Sequence, residues 1–188
     1  MYQIRREGAA DAAAREALLD RAFGPTRHLK TSARMRAGRL PADGLSLVAG
    51  DIASGRLLAT VRLCTMALGD GVDGDARPAL MLGPLAVDPQ AQGRGIGARL
   101  MRYSLAEAAY RGHASVILVG DPEYYQRFGF ESGLVTDLRL PGPVEARRFQ
   151  GFELVPGALA GAAGLVRPTG AQVLQIAATI EPVLALAG

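Results

Sequence analysis

Gly93, Gly95 and Gly97 stand within five positions of the stretch "AQGRGIGARL", directly ahead of a segment with helical spacing. Backbone N–H groups at a helix N-terminus point outward without intrahelical partners, and together with the helix dipole they attract phosphate. Glycine lets that backbone approach a ligand closely, so the loop suits a diphosphate; a plain tight turn between strand and helix is the equal alternative on these residues alone. The letters "GRGIGA" also satisfy the dinucleotide fingerprint G-x-G-x-x-G/A. The surroundings argue against that use. Five residues, "DPQAQ", separate the preceding strand from the first glycine, and the motif sits mid-chain. The acid expected about 20 positions on would be Asp121, which lies 28 beyond Gly93.

The elements around the loop follow from periodicity. Tyr2 to Arg6 reads as a strand, and from Asp11 an Ala-rich segment carries Ala14, Leu18, Leu19 and Phe23 at helical spacing until Gly24-Pro25 stops it. "TRHLKTSARMRAGRL" reads as a loop plus a short helix. Leu45 to Gly50 and Arg56 to Ala67 are β-rich runs joined by "DIASG", a hairpin whose glycine can take positive φ. The run "ALMLGPLAV", 79 to 87, contains Gly83-Pro84, which cannot sustain an unbroken ladder and predicts a bulge or splay. Ile96, Leu100, Met101, Leu105, Ala108 and Ala109 then mark one helical face closed by Gly112, and "ASVILVG" follows as a buried strand. Strand, loop, helix and strand make a βαβ unit with a parallel pair. "DPEYYQRFGF" is a short helix ended by Gly129; "RRFQGFELV" and "GAAGLVRP" are further strand candidates.

"LAVDPQAQGRGIGARLM" resembles the central signature of the GNAT superfamily of acyl-CoA-dependent N-acetyltransferases, whose Q/R-x-x-G-x-G/A motif falls on Gln92, Gly95 and Gly97. "LVGDPEYYQRFGF" is similar to that family's next strand, short helix and terminal Gly-Phe. The likeness is best from about Leu45 to Phe130, and the continuation also resembles a bacterial branch of acetyltransferases with a longer C-terminal half. It implies an α/β fold with a mixed, mostly antiparallel sheet, splayed where Met81 to Val87 parts from Ser115 to Val119, and flanked by helices. It further implies acetyl-CoA as cosubstrate. The strand backbone at Leu85, Ala86 and Val87 would pair with pantetheine amides, Gln92 of the motif would belong to the cofactor site, and the N–H groups of Gly93, Arg94, Gly95, Ile96, Gly97 and Ala98 would hold the pyrophosphate, a role that helix physics supports independently.

Acetyl transfer to an amine needs a neutral nucleophile, stabilisation of the oxyanion and a proton for the leaving thiolate. Tyr125 matches the position of the family's tyrosine, a phenol that can donate to the CoA sulfur; Tyr124 would point about 100° away around the helix. The oxyanion donor would be a backbone N–H near Val87, which leaves no trace in side-chain types. Asp88, Asp121 and Glu123 flank the cleft, yet Asp88 before Pro89 suits a turn and Asp121 before Pro122 suits a cap, and water relay serves a proton equally well, so no general base is assigned. The expected reaction is direct transfer to a primary amine of a small molecule or peptide. A non-catalytic acyl-CoA-binding module of the same fold stays open beside it.

Composition sets the outer bounds. The 188 residues are 49% hydrophobic and 21% charged, which fits one globular domain spanning 1–188. Net charge is only +3, with Lys30 the single lysine, so no dense basic stripe points to nucleic acid. The basic run Arg27 to Arg39 is a solvated face, or a wall of the acceptor pocket with a preference for acidic acceptors. Cys64 alone excludes an internal disulfide, and it reads as a buried small residue of a strand rather than a nucleophile. Charges where a signal peptide would place its apolar core predict a cytoplasmic protein, and no stretch reaches the roughly 18 apolar residues of a membrane span. Asp70, Asp73 and Asp75 miss the spacing of a calcium loop, and two separated histidines with one cysteine make no zinc site, so no metal is expected. The apolar end, Val173 to Leu186, reads as a helix or tail that covers the core or forms a homodimer contact.

Overall fold

The computed structural model describes residues 1–69 and 76–173. Asp70, Asp73 and Asp75, and the C-terminal tail beyond Val173, lie outside the described residues. Strands β1 (Tyr2–Arg6), β2 (Ser46–Asp51), β3 (Leu57–Leu68), β4 (Arg77–Val87), β5 (Ser115–Val119), β6 (Leu138–Arg139), β7 (Phe149–Glu153) and β8 (Gly164–Pro168) form a mixed sheet. Its main path runs β1-β2-β3-β4-β5-β7, with β8 beside the end of β3 and β6 beside β8. Helices α1 (Ala12–Phe23), α2 (Thr31–Arg36), α3 (Ile96–Tyr110) and α4 (Pro122–Tyr125) flank it.

The period of two in the strands sorts the core onto two faces. Leu80, Leu82, Val116 and Leu118 point to the face that α3 covers with Ile96, Leu100, Met101, Leu105 and Ala108. Each such side chain withdrawn from water stabilises the fold by about 1.5–3 kcal/mol. On the opposite face Met81 and Ile117 pack with Met35 of α2, while Leu18 and Leu19 of α1 cover Val48 and Ala86. The helical face of α3 is as expected, except that Ala109 is exposed and Ser104 is buried in its place, its hydroxyl donating to the Met101 carbonyl at 2.8 Å. Gly112, with φ 79°, closes the helix, its N–H donating to the Ala109 carbonyl.

Two features of β4 shape the cleft. Opposite the step from Val61 to Leu63 in β3, β4 advances from Leu85 to Leu82, one residue more, so Gly83-Pro84 forms the expected bulge. Beyond it, β4 and β5 are parallel but pair only at Leu80 with Val116 and Met81 with Ile117. From Leu85 to Val87 the strand keeps β3 on one edge, and no described strand pairs with the other.

Candidate active site

The glycine loop ends β4 through a 3-10 turn, Pro89–Ala91, and opens α3. Gly93 and Gly95 have φ of 75° and 72°, a left-handed conformation that favours glycine, and a Cβ at either would meet nothing within 4 Å. Gly95 is the N-cap of α3, and the Arg99 N–H donates to its carbonyl at 3.0 Å, so the N–H groups just ahead of Arg99 have no helical acceptor. Gly97 differs from the other two: a Cβ there would stand 2.9 Å from Val87 Cγ2 and 3.1 Å from the Tyr124 hydroxyl. Its role is close approach, and the wall of the groove depends on it.

A groove of about 640 Å³ runs from this loop along the bare edge of β4. It is lined by Leu85, Ala86, Val87, Gln92, Gly93, Gly95, Ile96, Gly97 and Ala98, with Tyr124 and Tyr125 opposite. Of the residues expected there only Arg94 is missing, its side chain exposed to solvent. An unpaired strand edge followed by outward N–H groups suits a ligand carrying amides and then phosphates, so the residues present fit coenzyme A.

Tyr125 closes the inner end of the groove. It sits in the single turn of α4, which Pro122 starts and a 3-10 turn continues to Gly129, φ 90°. Its ring packs edge-on to Tyr124 at 4.9 Å and to Phe130 at 6.0 Å. Burial, with Tyr124 and Asp121 adding to it, pushes the phenol up to about 12, so it holds its proton at neutral pH. Gly120 makes room for it: a Cβ there would lie 2.1 Å from the Tyr125 ring. Sequence reasoning passed over Gly120, although a glycine between a buried strand and Asp-Pro is a signal of close approach.

A second cavity, about 430 Å³, opens on the other side of Tyr125. It shares Phe23, Leu85, Asp121 and Tyr125 with the groove, and its far walls are α2, the Gly83-Pro84 bulge and the segment from Pro143 to Arg148. The basic run therefore does border a pocket next to the groove. Phe23, placed on the helical face of α1 in the sequence, is exposed and lines both cavities.

The carboxylates near the cleft are engaged. Asp88, only 3% exposed, accepts from the Gln90 N–H at 3.0 Å and pairs with Arg21 at 3.1 Å. Burial opposes its charge, but those two donors outweigh it and hold the carboxyl below its ordinary range. Asp121 is the N-cap of α4, yet its side chain makes no cap bond and pairs with Arg148 at 3.0 Å instead. Glu123 is exposed and pairs with Arg147. Cys64 is buried, and burial raises its thiol. Among the described residues no three His, Cys, Asp or Glu side chains are grouped to hold a metal, and no helix is long and apolar enough to cross a membrane.

An open mixed sheet that parts at a parallel strand pair and leads into a glycine loop at a helix N-terminus is an acetyltransferase architecture. The model of the "Acetyltransferase (GNAT) domain" matches residues 3–133, and the chain belongs to that family of N-acetyltransferases. It is 34% identical to the N-acetyltransferase YhbS of Escherichia coli K12 over 166 residues, covering 87% of this chain and 93% of that one. The crystal structure of E. coli YhbS with CoA superposes with a TM-score of 0.73 at 32% identity, covering 89% of each chain. A GNAT acetyltransferase of Brucella melitensis with acetyl-CoA gives 0.66 at 28% identity, over 90% of this chain and 96% of that one.

Proposed function

We propose that the chain, acting as one unit, binds acetyl-CoA along the bare edge of β4 and passes the acetyl group directly to a primary amine held in the second cavity. The observation that carries this reading is the junction: the groove and the cavity meet at Leu85, Asp121 and Tyr125. A thioester there is within reach of an amine arriving from the other side, which is the arrangement direct transfer requires. Acetyl-CoA supplies the activated acyl group. The backbone of Leu85 to Val87 aligns the pantetheine arm, and N–H groups from Gly93 to Ala98 hold the pyrophosphate. The amine nitrogen bonds to the acyl carbon as the carbon–sulfur bond breaks. Tyr125 gives its proton to the sulfur, and the proton of the new ammonium leaves through water to restore the phenol. A backbone N–H near Val87 faces the carbonyl oxygen.

The E. coli and B. melitensis proteins crystallised with CoA and acetyl-CoA support the choice of cosubstrate. Among the described residues, the ion pairing of Asp88 and Asp121 supports the water route. The working compartment on this reading is the cytoplasm, where acetyl-CoA is available. The test is a thermal-shift titration with acetyl-CoA and with NADH, followed by free-thiol release across an amine panel. Stabilisation by acetyl-CoA and turnover with an amine are expected. Stabilisation by NADH alone overturns the reading, and acetyl-CoA binding with no turnover on any amine leaves a binding module.

A further inference from the structure

Four cationic side chains line the second cavity, Arg27, Lys30, Arg36 and Arg148, against two carboxylates, Asp121 and Glu145. Two of the four are matched by carboxylates. Arg27 reaches Glu16 at 2.5 Å and Asp20 at 2.7 Å, both on α1, and Arg148 is taken by Asp121 at 3.0 Å. Glu145 pairs outward with Arg147 at 3.3 Å. Lys30 lies over the Phe23 ring, 5.2 Å from its centroid, and remains close to solvent. Arg36 is different. It ends α2 against the bulge of β4, and a Cβ on Gly83 would meet its Nη1 at 3.3 Å. Among the described residues its guanidinium has no hydrogen bond and no carboxylate partner. The neighbouring Arg62 turns to Glu7 at 3.3 Å, a carboxylate that Arg15 also holds.

A partly buried guanidinium with no counter-charge is costly to maintain in a fold, and here it faces a cavity rather than bulk water. Burial and the nearby Arg62 both work against its charge and pull it down to about 10, which still leaves it fully protonated at neutral pH. The planar fork of arginine matches a carboxylate bidentately, and Arg36 is the unmatched cation here that is sheltered from solvent, since Lys30 is exposed. We infer that Arg36 is the anchor for a carboxylate carried by the acceptor, so that the substrate is an amine that is also an acid, such as an amino acid, an ω-amino acid or a short peptide. This deepens the acetyltransferase reading and rests on it. Arg36 borders the second cavity and not the groove, so it sets acceptor choice and not acetyl-CoA affinity.

The experiment is calorimetric binding to the full chain saturated with CoA, which needs no turnover. The probes are glycine, β-alanine, 4-aminobutyrate, L-glutamate and glycylglycine, each beside its carboxamide, together with O-phosphoethanolamine. At least one acid is expected to bind about tenfold or more tightly than its amide, the usual size of a charge-assisted pair in a sheltered site. Arg36→Gln is expected to erase that difference while the thermal shift with acetyl-CoA stays as in the parent. Lys30→Gln should preserve the difference. Equal affinity of acids and amides overturns the inference, as does a preference that survives Arg36→Gln, one that Lys30→Gln removes, or a response to the phosphate ester alone. The comparison of acids with amides stands on the parent protein even if Arg36→Gln does not fold. Loss of acetyl-CoA stabilisation in the parent would sink the acetyltransferase reading instead, so the two failures are told apart.

Discussion

Tyr125 and the glycines around it carry most of what single residues contribute. Tyr125→Phe keeps the ring contacts with Tyr124 and Phe130 and removes only the hydroxyl, the proposed proton donor. The expected result is a fall in kcat of about a hundredfold with acetyl-CoA affinity changed less than twofold, read by steady-state kinetics and calorimetry. Because the phenol is raised to about 12, its protonated form persists well past the ordinary tyrosine range. The rate should therefore climb with pH as the acceptor amine deprotonates and show no decline from Tyr125 up to about pH 10.5; a tyrosine-like fall near pH 9 in kcat would count against its role. Gly97→Ala presses a methyl into Val87 and the Tyr124 hydroxyl, so it should raise KM for acetyl-CoA at least several-fold and cost about 1–3 kcal/mol of stability. An unchanged KM and melting temperature would show that this wall yields freely. The positions of Gly93, Gly95 and Gly97 were legible in the sequence, but their division of labour was not. Two meet a backbone requirement and one a packing requirement, and only the side chains that fold back over Gly97 reveal it.

At the scale of elements, the parts with local signals came through most clearly. The α3 face, the stop at Gly24-Pro25, the hairpin closed by Gly55 at φ 70° and the bulge at Gly83-Pro84 all follow from short-range chemistry. What was hidden depends on distant partners. Asp121 precedes a proline as a capping residue would, yet Arg148, far along the chain, takes its carboxylate. The strand β6 is only Leu138–Arg139 and exists through pairing with β8, so no periodicity could announce it. The basic run was visible as charge, while the capture of its first member, Arg27, by Glu16 and Asp20 of α1 was not. A shorter-range tie joins β1 to the start of α1. Arg5 donates to Asp11 at 2.8 Å and, with help from the Gly8 N–H, lowers that carboxyl to about 2. Its contribution is present above about pH 4, the ordinary carboxylate value, and is lost as pH falls toward 2. Asp11→Asn should accordingly cost about 1 kcal/mol at pH 7 and almost nothing near pH 2, measured by denaturant unfolding at both. Equal losses at the two pH values would mean the pair does not act through charge.

For the molecule as a whole, the cleft is a gap in a sheet whose two sides are otherwise well tied. β4 has β3 along one edge, β5 holds β7 along its outer edge, and the two inner strands pair only at Leu80–Val116 and Met81–Ile117. On the proposed reading, acetyl-CoA lying there would take the place of a strand, and the ladder would be completed by something the protein must release each turnover. The amide hydrogens of Leu85 and Val87, which alternate with the Ala86 N–H directed at β3 and so face the free edge, then become reporters of occupancy. They should exchange with deuterium more slowly when acetyl-CoA is present, while those of the β1-β2 edge keep their rates. Uniform slowing across the chain would instead indicate general tightening. If the ligand fills the missing strand in this way, rigidity would rise and fall with each catalytic cycle, and substrate depletion alone should leave this enzyme easier to unfold and to digest.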